Sequence, residues 1–148
     1  MNFKMKIKKL NERAVVPTYG TVFSAGADLY ACEETEIEIS AGETRLIHTG
    51  IAMEIPQGYV GLIYARSGLS TKRGLAPANK VGVIDADYRG EIMVALYNQS
   101  GATQRVGVGE RIAQMVFTRY DMAEFEVVDE LDSTERGEGG FGSTGRNE

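Results

Sequence analysis

The sequence is poor in the residues that form disulfides or hold structural metals. Its 148 residues include one cysteine, Cys32, and one histidine, His48. One thiol cannot form a disulfide within the chain, which favours a reducing compartment and predicts a cytoplasmic protein with an inert thiol. One cysteine and one histidine cannot supply the ligands of a closed zinc site. We expect His48 to lie on the surface or at a strand edge, without a catalytic role.

Long apolar runs and dense positive charge are also absent. No run is long enough to cross a bilayer, and the basic segment 1–10 lacks the continuous apolar core of a signal peptide. The net charge is −5, whereas nonspecific binding to nucleic acids or anionic membranes relies on dense lysine and arginine patches. We therefore expect neither nucleic acid nor a membrane as a partner.

Short runs with strand character occupy most of the chain, and turn signals separate them. Many short strands without a long helical period predict one all-β domain, namely a β-sandwich, jelly roll or barrel. The exception is Ser67–Gly74, which predicts a brief helix with Ser67 near its N-cap and Gly74 at its end. The predicted strands are Phe3–Leu10, Ala27–Ala31, Glu36–Ser40, Thr44–His48, Ile51–Ile55, Tyr59–Tyr64, Val81–Ile84, Glu91–Tyr97, Arg111–Phe117 and Phe125–Val128.

The composition changes near the C-terminus. Acidic residues dominate from Asp121 to Glu138, and a glycine-rich stretch that contains Phe141 follows. Such a stretch cannot pack by itself. We therefore divide the chain into a β domain, residues 1–132, and a flexible Gly-rich C-terminal tail, residues 133–148. The tail is either a linker or a segment that closes over a ligand, a role that would use its arginine and phenylalanine.

The segment 82–90 carries the clearest chemical signal, with the sequence Gly-Val-Ile-Asp-Ala-Asp-Tyr-Arg-Gly. Alternation predicts a β-hairpin in which Asp85 and Asp87 point to the same side, with Arg89 and Gly90 in the turn. A carboxylate at the mouth of a hairpin, beside an aromatic ring, can activate a water next to a bound organic group. An acidic turn without function is the alternative, and this segment alone does not decide between the two.

Five segments, taken in order, resemble the motifs of the trimeric dUTP pyrophosphatase (dUTPase) family. The resemblance covers nearly the whole chain from Ala14 onward, and the order and spacing make it specific. It implies a distorted jelly-roll or β-sandwich-like barrel and a homotrimer with shared active sites. It also implies hydrolysis of dUTP to dUMP and pyrophosphate, which keeps uracil out of DNA and supplies dUMP for thymidylate synthesis. The segments are Ala25–Ala31, Ala65–Ser70, Gly82–Gly90, Gly109–Phe117 and 136–145.

For the nucleoside and the reaction, the resemblance implies the following roles. Asp85 matches the general base that activates water for attack on the α-phosphorus; an aspartate, with an ordinary pKa near ~3.9, is ionised at neutral pH. Tyr88 matches the residue that packs against the deoxyribose and leaves no space for a 2′-hydroxyl. A narrow slot would reject the thymine methyl group sterically and cytosine by its reversed hydrogen-bond pattern. The uracil-contacting positions are Asn79 and the backbone around Val83, Ile84 and Met93.

For the triphosphate, the resemblance assigns residues from three other motifs and the tail. Asp28 matches a carboxylate that reaches Mg²⁺ through water, and this ion would chelate the triphosphate. Arg136 matches a ligand of the γ-phosphate, and Phe141 matches the residue that stacks on uracil. The remaining phosphate-binding positions are Arg66, Ser67, Gly68 and Gln114, and further tail donors are Gly142, Ser143 and Thr144.

Two alternatives stay open at this point. A dCTP deaminase or a bifunctional deaminase–dUTPase shares the fold and the Arg-Ser motif, but deamination uses a catalytic glutamate near the third motif. Here Asp85 and Asp87 occupy that motif, and Glu91 comes only after the turn. A non-catalytic β-sandwich nucleotide-binding module is the second alternative, since a fold does not specify a function.

Overall fold

A computed structural model describes residues 3–141 of the chain. Within this range no helix has the length and apolar character that a membrane crossing needs. The described part forms twelve strands and one short helix. They are β1 (Lys6–Lys9), β2 (Thr18–Tyr19), β3 (Ala27–Tyr30), β4 (Ile37–Ile39), β5 (Thr44–His48), β6 (Ile51–Glu54), β7 (Tyr59–Tyr64), α1 (Ser67–Arg73), β8 (Leu75–Pro77), β9 (Gly82–Ile84), β10 (Met93–Asn98), β11 (Gln104–Val106) and β12 (Arg111–Arg119).

The strands form antiparallel sheets, and one sheet positions most of the predicted site. Its order is β2-β3-β12-β7-β9, so the long strand β12 lies between β3 and β7. A second sheet has the order β5-β10-β8, while β1 pairs with β6 and β4 pairs with β11. Over residues 3–141 these sheets do not join into a closed barrel. The prediction of an all-β fold with one short helix is confirmed.

Side chains from these sheets meet in one apolar core. In β10 every second residue is buried, as expected for a strand with one face on the core. Each large aliphatic side chain buried in this way contributes about 1.5–3 kcal/mol to folding. Asn98 lies at the end of this row, and its amide nitrogen donates to the carbonyl oxygens of Ile39 at 2.9 Å and Ala102 at 2.8 Å. The core includes Leu29, Ile39, Ile47, Ile51, Leu75, Ile92, Leu96, Ile112 and Met115.

Helix α1 ends where the sequence predicts. Gly74 has φ +69°, a left-handed conformation that glycine adopts without steric cost. Its N–H group donates to the carbonyl oxygen of Ser70 at 3.1 Å. At the other end the N-cap residue is Arg66, in an extended conformation and without a side-chain capping bond, and Ser67 is the first helical residue.

The structure corrects two predictions about strands. The predicted hairpin arms do not pair, because β9 is bonded to β7 whereas β10 is bonded to β5 and β8. Residues Phe125–Val128 do not form a strand, and Phe125 and Val127 are 91% and 98% exposed. An alternating apolar pattern shows which face a strand would bury, but it does not supply a neighbouring strand. Three very short strands, β2, β8 and β11, were not predicted.

Candidate active site

One group of predicted site residues lies where β3, β12 and β7 run side by side. The register places Asp28 opposite Gln114, and Gln114 opposite Tyr64. Arg66 follows shortly after Tyr64, and its Nε donates to Asp28 Oδ1 at 2.9 Å. Arg111 Nη1 donates to the other oxygen of the same carboxylate at 3.4 Å. The side chains of Asp28 and Arg66 are only 13% and 28% exposed, so this ion pair is largely shielded from solvent.

Gln114 supports the segment that leads into Arg66. Its Nε2 donates to the carbonyl oxygen of Ala65 at 2.9 Å. Gly26 leaves space for this amide, since a Cβ at that position would lie 2.3 Å from Gln114 Oε1. An amide NH₂ group has two donors. One of them is used for this bond, and the second is the donor that a phosphate could take.

Ser67 and Gly68 are exposed at the beginning of α1, directly after Arg66. The first N–H groups of a helix have no partner within the helix and attract anions. The structure therefore brings a guanidinium group and the start of a helix to one exposed end of the sheet. Such an arrangement suits a phosphate group.

A second group of predicted residues lines a cavity between β9 and β10, with a volume of about 200 Å³. The cavity forms because the two strands pair with different neighbours and leave a gap. Its walls are mainly apolar, and Asn79 contributes a side-chain amide that can both donate and accept hydrogen bonds. Such a slot suits a flat ring with one polar edge. The lining residues are Leu46, Ile63, Pro77, Asn79, Gly82, Val83, Ile84, Met93, Val94 and Ala95.

The loop after β9 carries both aspartates of the third motif. Asp85 and Asp87 line one open cleft of about 750 Å³, together with Lys4, Lys6 and Arg89. The two carboxylates therefore face the same cleft, although the hairpin that was expected to place them there does not form. The lysines and the arginine bring positive charge to this side of the loop.

Tyr88 is held by two hydrogen bonds, one from its main chain and one from its hydroxyl group. Its N–H group donates to the carbonyl oxygen of Asp85 at 3.2 Å, and its hydroxyl donates to the carbonyl oxygen of Glu91 at 2.8 Å. The Tyr88 side chain is 41% exposed, so one part of the ring is open to a ligand. These two hydrogen bonds tie Tyr88 to the loop that carries Asp85 and leave part of its ring exposed.

The two groups of residues lie far apart within one chain. Gly61 pairs with Ile84, so Asp85 comes level with Val60 near one end of β7, whereas Arg66 follows the other end. Val60 and Arg66 are six positions apart in the chain, which corresponds to at most about 20 Å at about 3.3 Å per residue. Arg66 is also directed to β3, on the far side of β12 from β9.

The predicted tail residues lie beyond the last strand. Arg136 Nε donates to the carbonyl oxygen of Gly139 at 2.8 Å, and the Phe141 side chain is fully exposed. Neither residue lines the two cavities that contain Asp85 and Asn79. Gly142, Ser143 and Thr144 lie outside the described residues.

Two residues that sequence reasoning did not assign to the site join its loop to the rest of the fold. Glu91 Oε1 accepts the Gly50 N–H group at 2.8 Å, and Glu91 Oε2 lies 2.9 Å from His48 Nδ1. The hydrogen bond to Glu91 raises the pKa of His48, partial burial opposes this rise, and the negative charges of Glu91 and Glu33 add to it. His48 is half-exposed on the edge strand β5, which confirms its predicted placement.

The residues around Asp28 allow a test of the predicted magnesium contact. Both oxygens of its carboxylate accept hydrogen bonds from guanidinium groups. Within residues 3–141 no group of three acidic, histidine or cysteine side chains could hold a metal ion. Mg²⁺ commonly keeps several waters and binds through one or two carboxylates and the substrate phosphates. An ion that arrives with a triphosphate needs no preformed cage of protein ligands, and its contact with Asp28 through water stays a prediction.

Comparisons with known proteins agree over nearly the whole chain. The family model of the dUTPases matches residues 12–145. The chain is 50% identical over 143 residues to the deoxyuridine 5′-triphosphate nucleotidohydrolase of Nautilia profundicola, with 97% of this chain and 99% of the relative covered. Its fold is similar to that of the Staphylococcus bacteriophage 80alpha dUTPase with dUPNHPP, with a TM-score of 0.89, 31% identity and coverage of 98% and 100%. A mutant dUTPase from phage phi11 of S. aureus, described with a coordinated structural Mg(II) ion, matches with a TM-score of 0.78, 26% identity and coverage of 87% and 99%.

An all-β, jelly-roll-like fold that matches the family model and solved dUTPase structures places the chain among the nucleotide-processing enzymes. The chain belongs to the dUTPase family. The expectation of a dUTP hydrolase is thereby confirmed, and the relatives compared above are all named as dUTP hydrolases.

Proposed function

We propose that the enzyme hydrolyses dUTP to dUMP and pyrophosphate with Asp85 as the general base. Asp85 accepts a proton from a water molecule whose oxygen attacks the α-phosphorus. The bond from that phosphorus to the bridging oxygen breaks, pyrophosphate leaves, and the proton passes from Asp85 to solvent. The observation that carries this proposal is the position of Asp85, which directly follows β9 and the cavity wall at Ile84.

The cavity between β9 and β10 is proposed to hold the uridine. Asn79 and the backbone at Val83, Ile84 and Met93 contact uracil, because they line a cavity whose wall at Ile84 directly precedes Asp85 in the chain. The partly exposed ring of Tyr88 packs against the deoxyribose and excludes a 2′-hydroxyl. A buried polar group left unpaired costs about 1–3 kcal/mol, which disfavours cytosine.

The triphosphate is proposed to bind at the cationic cluster. Arg66 contributes a guanidinium group, Ser67 and Gly68 contribute donors at the start of α1, and Gln114 contributes its second N–H group. Asp28 orients Arg66 and would hold Mg²⁺ through water. When bound, the ion would neutralise charge on the triphosphate and so favour the departure of pyrophosphate. The tail residues Arg136, Phe141, Gly142, Ser143 and Thr144 close over the nucleotide and exclude water.

The separation of the two groups supports an active site shared between chains. A general base must lie within hydrogen-bond reach of the attacking water, and a triphosphate extends only a few bonds beyond the α-phosphorus. Asp85 and Arg66 of one chain lie beyond opposite ends of β7, up to about 20 Å apart, which is too distant for both to serve the same substrate in this way. We therefore infer that Asp85 of one chain meets Arg66 of another in a homotrimer.

The segment after β12 supports the same assembly. Met122, Phe125, Val127 and Leu131 are each at least 86% exposed. A row of apolar side chains that the described part of the chain leaves so exposed favours burial against a second copy. The segment would also carry the tail towards a neighbouring site.

The single cysteine, which is free and buried, is consistent with the proposed cytoplasmic location.

Pyrophosphate release from dUTP, dTTP, dCTP and UTP in the presence of Mg²⁺ tests the reaction and its specificity, with ammonia assayed in parallel. We expect rapid release from dUTP alone. Ammonia from dCTP would instead indicate a deaminase, and no product from any of the four nucleotides would indicate a binding module.

Mixed assemblies test the shared site. Asp85→Asn and Arg66→Ala chains should each form poorly active enzymes. Random co-assembly in equal amounts should restore about a quarter of the sites, because a shared site can take Asp85 from one variant and Arg66 from the other. Sites contained in one chain would stay inactive in every mixture, and this result would overturn the shared arrangement without affecting the assignment of the reaction.

A further inference from the structure

We propose that Glu91 is a positioning residue for sugar discrimination, because its carboxylate holds the Tyr88 ring in place against the substrate. The proposal rests on the assignment of Tyr88 to the deoxyribose. Glu91 itself lines neither the cavity of Asn79 nor the cleft of Asp85. It acts through its neighbours and not by touching the nucleotide.

The Glu91 carboxylate ties the loop to the turn between β5 and β6. Its Oε1 accepts the Gly50 N–H group at 2.8 Å, and its Oε2 lies 2.9 Å from His48 Nδ1. The Glu91 side chain is only 23% exposed, so its contact with Gly50 is largely shielded from water, whereas the His48 ring is half-exposed. Two contacts to different groups fix the position and the rotation of the carboxylate.

The turn that receives Glu91 is itself rigid. Gly50 has φ +68°, and a Cβ at this position would lie 2.9 Å from both Ala14 Cβ and Cys32 Sγ. The turn is therefore packed on core side chains, and this packing prevents it from following a movement of the loop that carries Tyr88. Thr49, which precedes Gly50 in the chain, is buried, and its hydroxyl group donates a hydrogen bond to the Ile92 carbonyl oxygen.

The main chain of Glu91 holds the ring. The Tyr88 hydroxyl donates to the Glu91 carbonyl oxygen at 2.8 Å. Gly90 allows this approach, since a Cβ there would lie 2.4 Å from the hydroxyl oxygen and 2.6 Å from Cζ of the same ring. The ring thus lies against the Gly90 backbone, and its position follows that of Glu91.

The same turn also holds one wall of the nucleoside cavity. The Ile92 N–H group donates to the Ile51 carbonyl oxygen at 2.8 Å, and Met93 pairs with His48 in the sheet. Met93 lines the cavity. The Glu91 carboxylate therefore sets the distance between the Tyr88 ring and a wall that is already fixed, and this distance decides whether a 2′-hydroxyl fits.

The test compares kcat/KM for dUTP and UTP in variants of the full-length enzyme. Glu91→Ala removes both contacts, and we expect the dUTP:UTP ratio of kcat/KM to fall by about tenfold. Glu91→Gln keeps an oxygen for Gly50 and should retain most of the ratio. Glu38→Ala, in an exposed ion pair with Arg105, is the matched control and should leave the ratio unchanged.

A double-mutant comparison separates positioning from general stability. Tyr88→Phe loses the hydroxyl that reaches Glu91, so Glu91→Ala should have little further effect on the ratio in that background. A folded Glu91→Ala enzyme with the wild-type ratio would overturn the proposal. If this variant does not fold, His48→Ala removes one of the two contacts and should lower the ratio in the same direction; an unchanged ratio there would overturn the proposal equally.

Tyr88→Ala distinguishes this inference from the assignment on which it rests. An unchanged ratio in Tyr88→Ala would show that Tyr88 does not select the sugar. A reduced ratio in Tyr88→Ala together with a wild-type ratio in Glu91→Ala would reject the role of Glu91 alone.

Discussion

The Asp28 carboxylate holds the Arg66 guanidinium group by a 2.9 Å hydrogen bond, although Asp28 lies in β3 and Arg66 follows β7, two strands that do not pair with each other. The strand between them, β12, pairs with both and sets their distance. Arg66 is thereby oriented before any phosphate arrives. Preorganised charge of this kind improves binding because the substrate does not have to order the side chain.

Asp28→Asn should weaken both the fold and substrate binding. The variant keeps the side-chain size but removes the charge that faces Arg66 and Arg111. We expect a loss of about 1–3 kcal/mol in the free energy of unfolding, together with a higher KM for dUTP. Urea unfolding and steady-state kinetics measure the two effects. Glu36→Gln, which breaks an exposed pair with Arg105, is the control and should change stability by less than about 0.5 kcal/mol.

Asp85→Asn should abolish most turnover while nucleotide affinity is largely retained, because the base is removed and the cavity stays. General-base catalysis typically contributes about 10²–10⁴-fold to the rate, so a loss in kcat of this size is expected. Binding of a non-hydrolysable dUTP analogue reports the affinity. Asp87→Asn changes a carboxylate on the same cleft and should keep a rate close to that of the wild type. Normal turnover in Asp85→Asn would refute its assignment as the base.

Removal of the chain after Glu135 should leave a folded protein with severely impaired catalysis. The Phe141 side chain is fully exposed, so its loss removes no core contact, whereas the proposed closure over the nucleotide needs it. Circular dichroism and thermal melting report folding, and kcat/KM for dUTP reports closure. Phe141→Ala in the full chain should reproduce part of the kinetic effect. A truncated protein that fails to fold would show that the tail is structural.

His48 should stabilise the fold at acidic pH and less at alkaline pH. Its pKa is raised in the folded state by the hydrogen bond to Glu91 and by the charges of Glu91 and Glu33. Its contribution is therefore complete below the unfolded pKa of about 6.5 and is lost as the pH rises through the folded pKa. His48→Asn should lower stability more at pH 5.5 than at pH 8.5, by less than about 1 kcal/mol because the ring is half-exposed. An effect of equal size at both pH values would contradict this expectation.

Local features of the fold were accessible from the sequence, and partners distant along the chain were not. Gly74 ends α1 as predicted, because the left-handed conformation is a property of the residue itself. The predicted hairpin failed because alternation in 82–84 and 93–98 does not specify a partner, and both strands found better neighbours in other sheets. Phe125–Val128 has a strand pattern but no strand beside it within the described chain.

The same distinction applies to the site. The motifs identified Asp28, Arg66 and Asp85 as chemically important, yet only the strand register reveals that the first two touch and that the third lies far from them. In the sequence, Glu91 is recognisable only as the residue that follows the turn at Arg89 and Gly90. Its contact with His48 joins positions 43 apart in sequence, and no local pattern signals such a pair.

The place of β7 between β12 and β9 has a consequence for how this protein can evolve. One edge of the strand carries the register of the cationic cluster, and the other carries the register of the catalytic loop. Substitutions along β7 alter local packing. An insertion or deletion of one residue would instead move each later side chain of the strand to the opposite face of the sheet and change the register with β12 relative to the register with β9. Family members can therefore vary the composition of this strand but not its length, and differences in chain length between them should fall in the turns and termini.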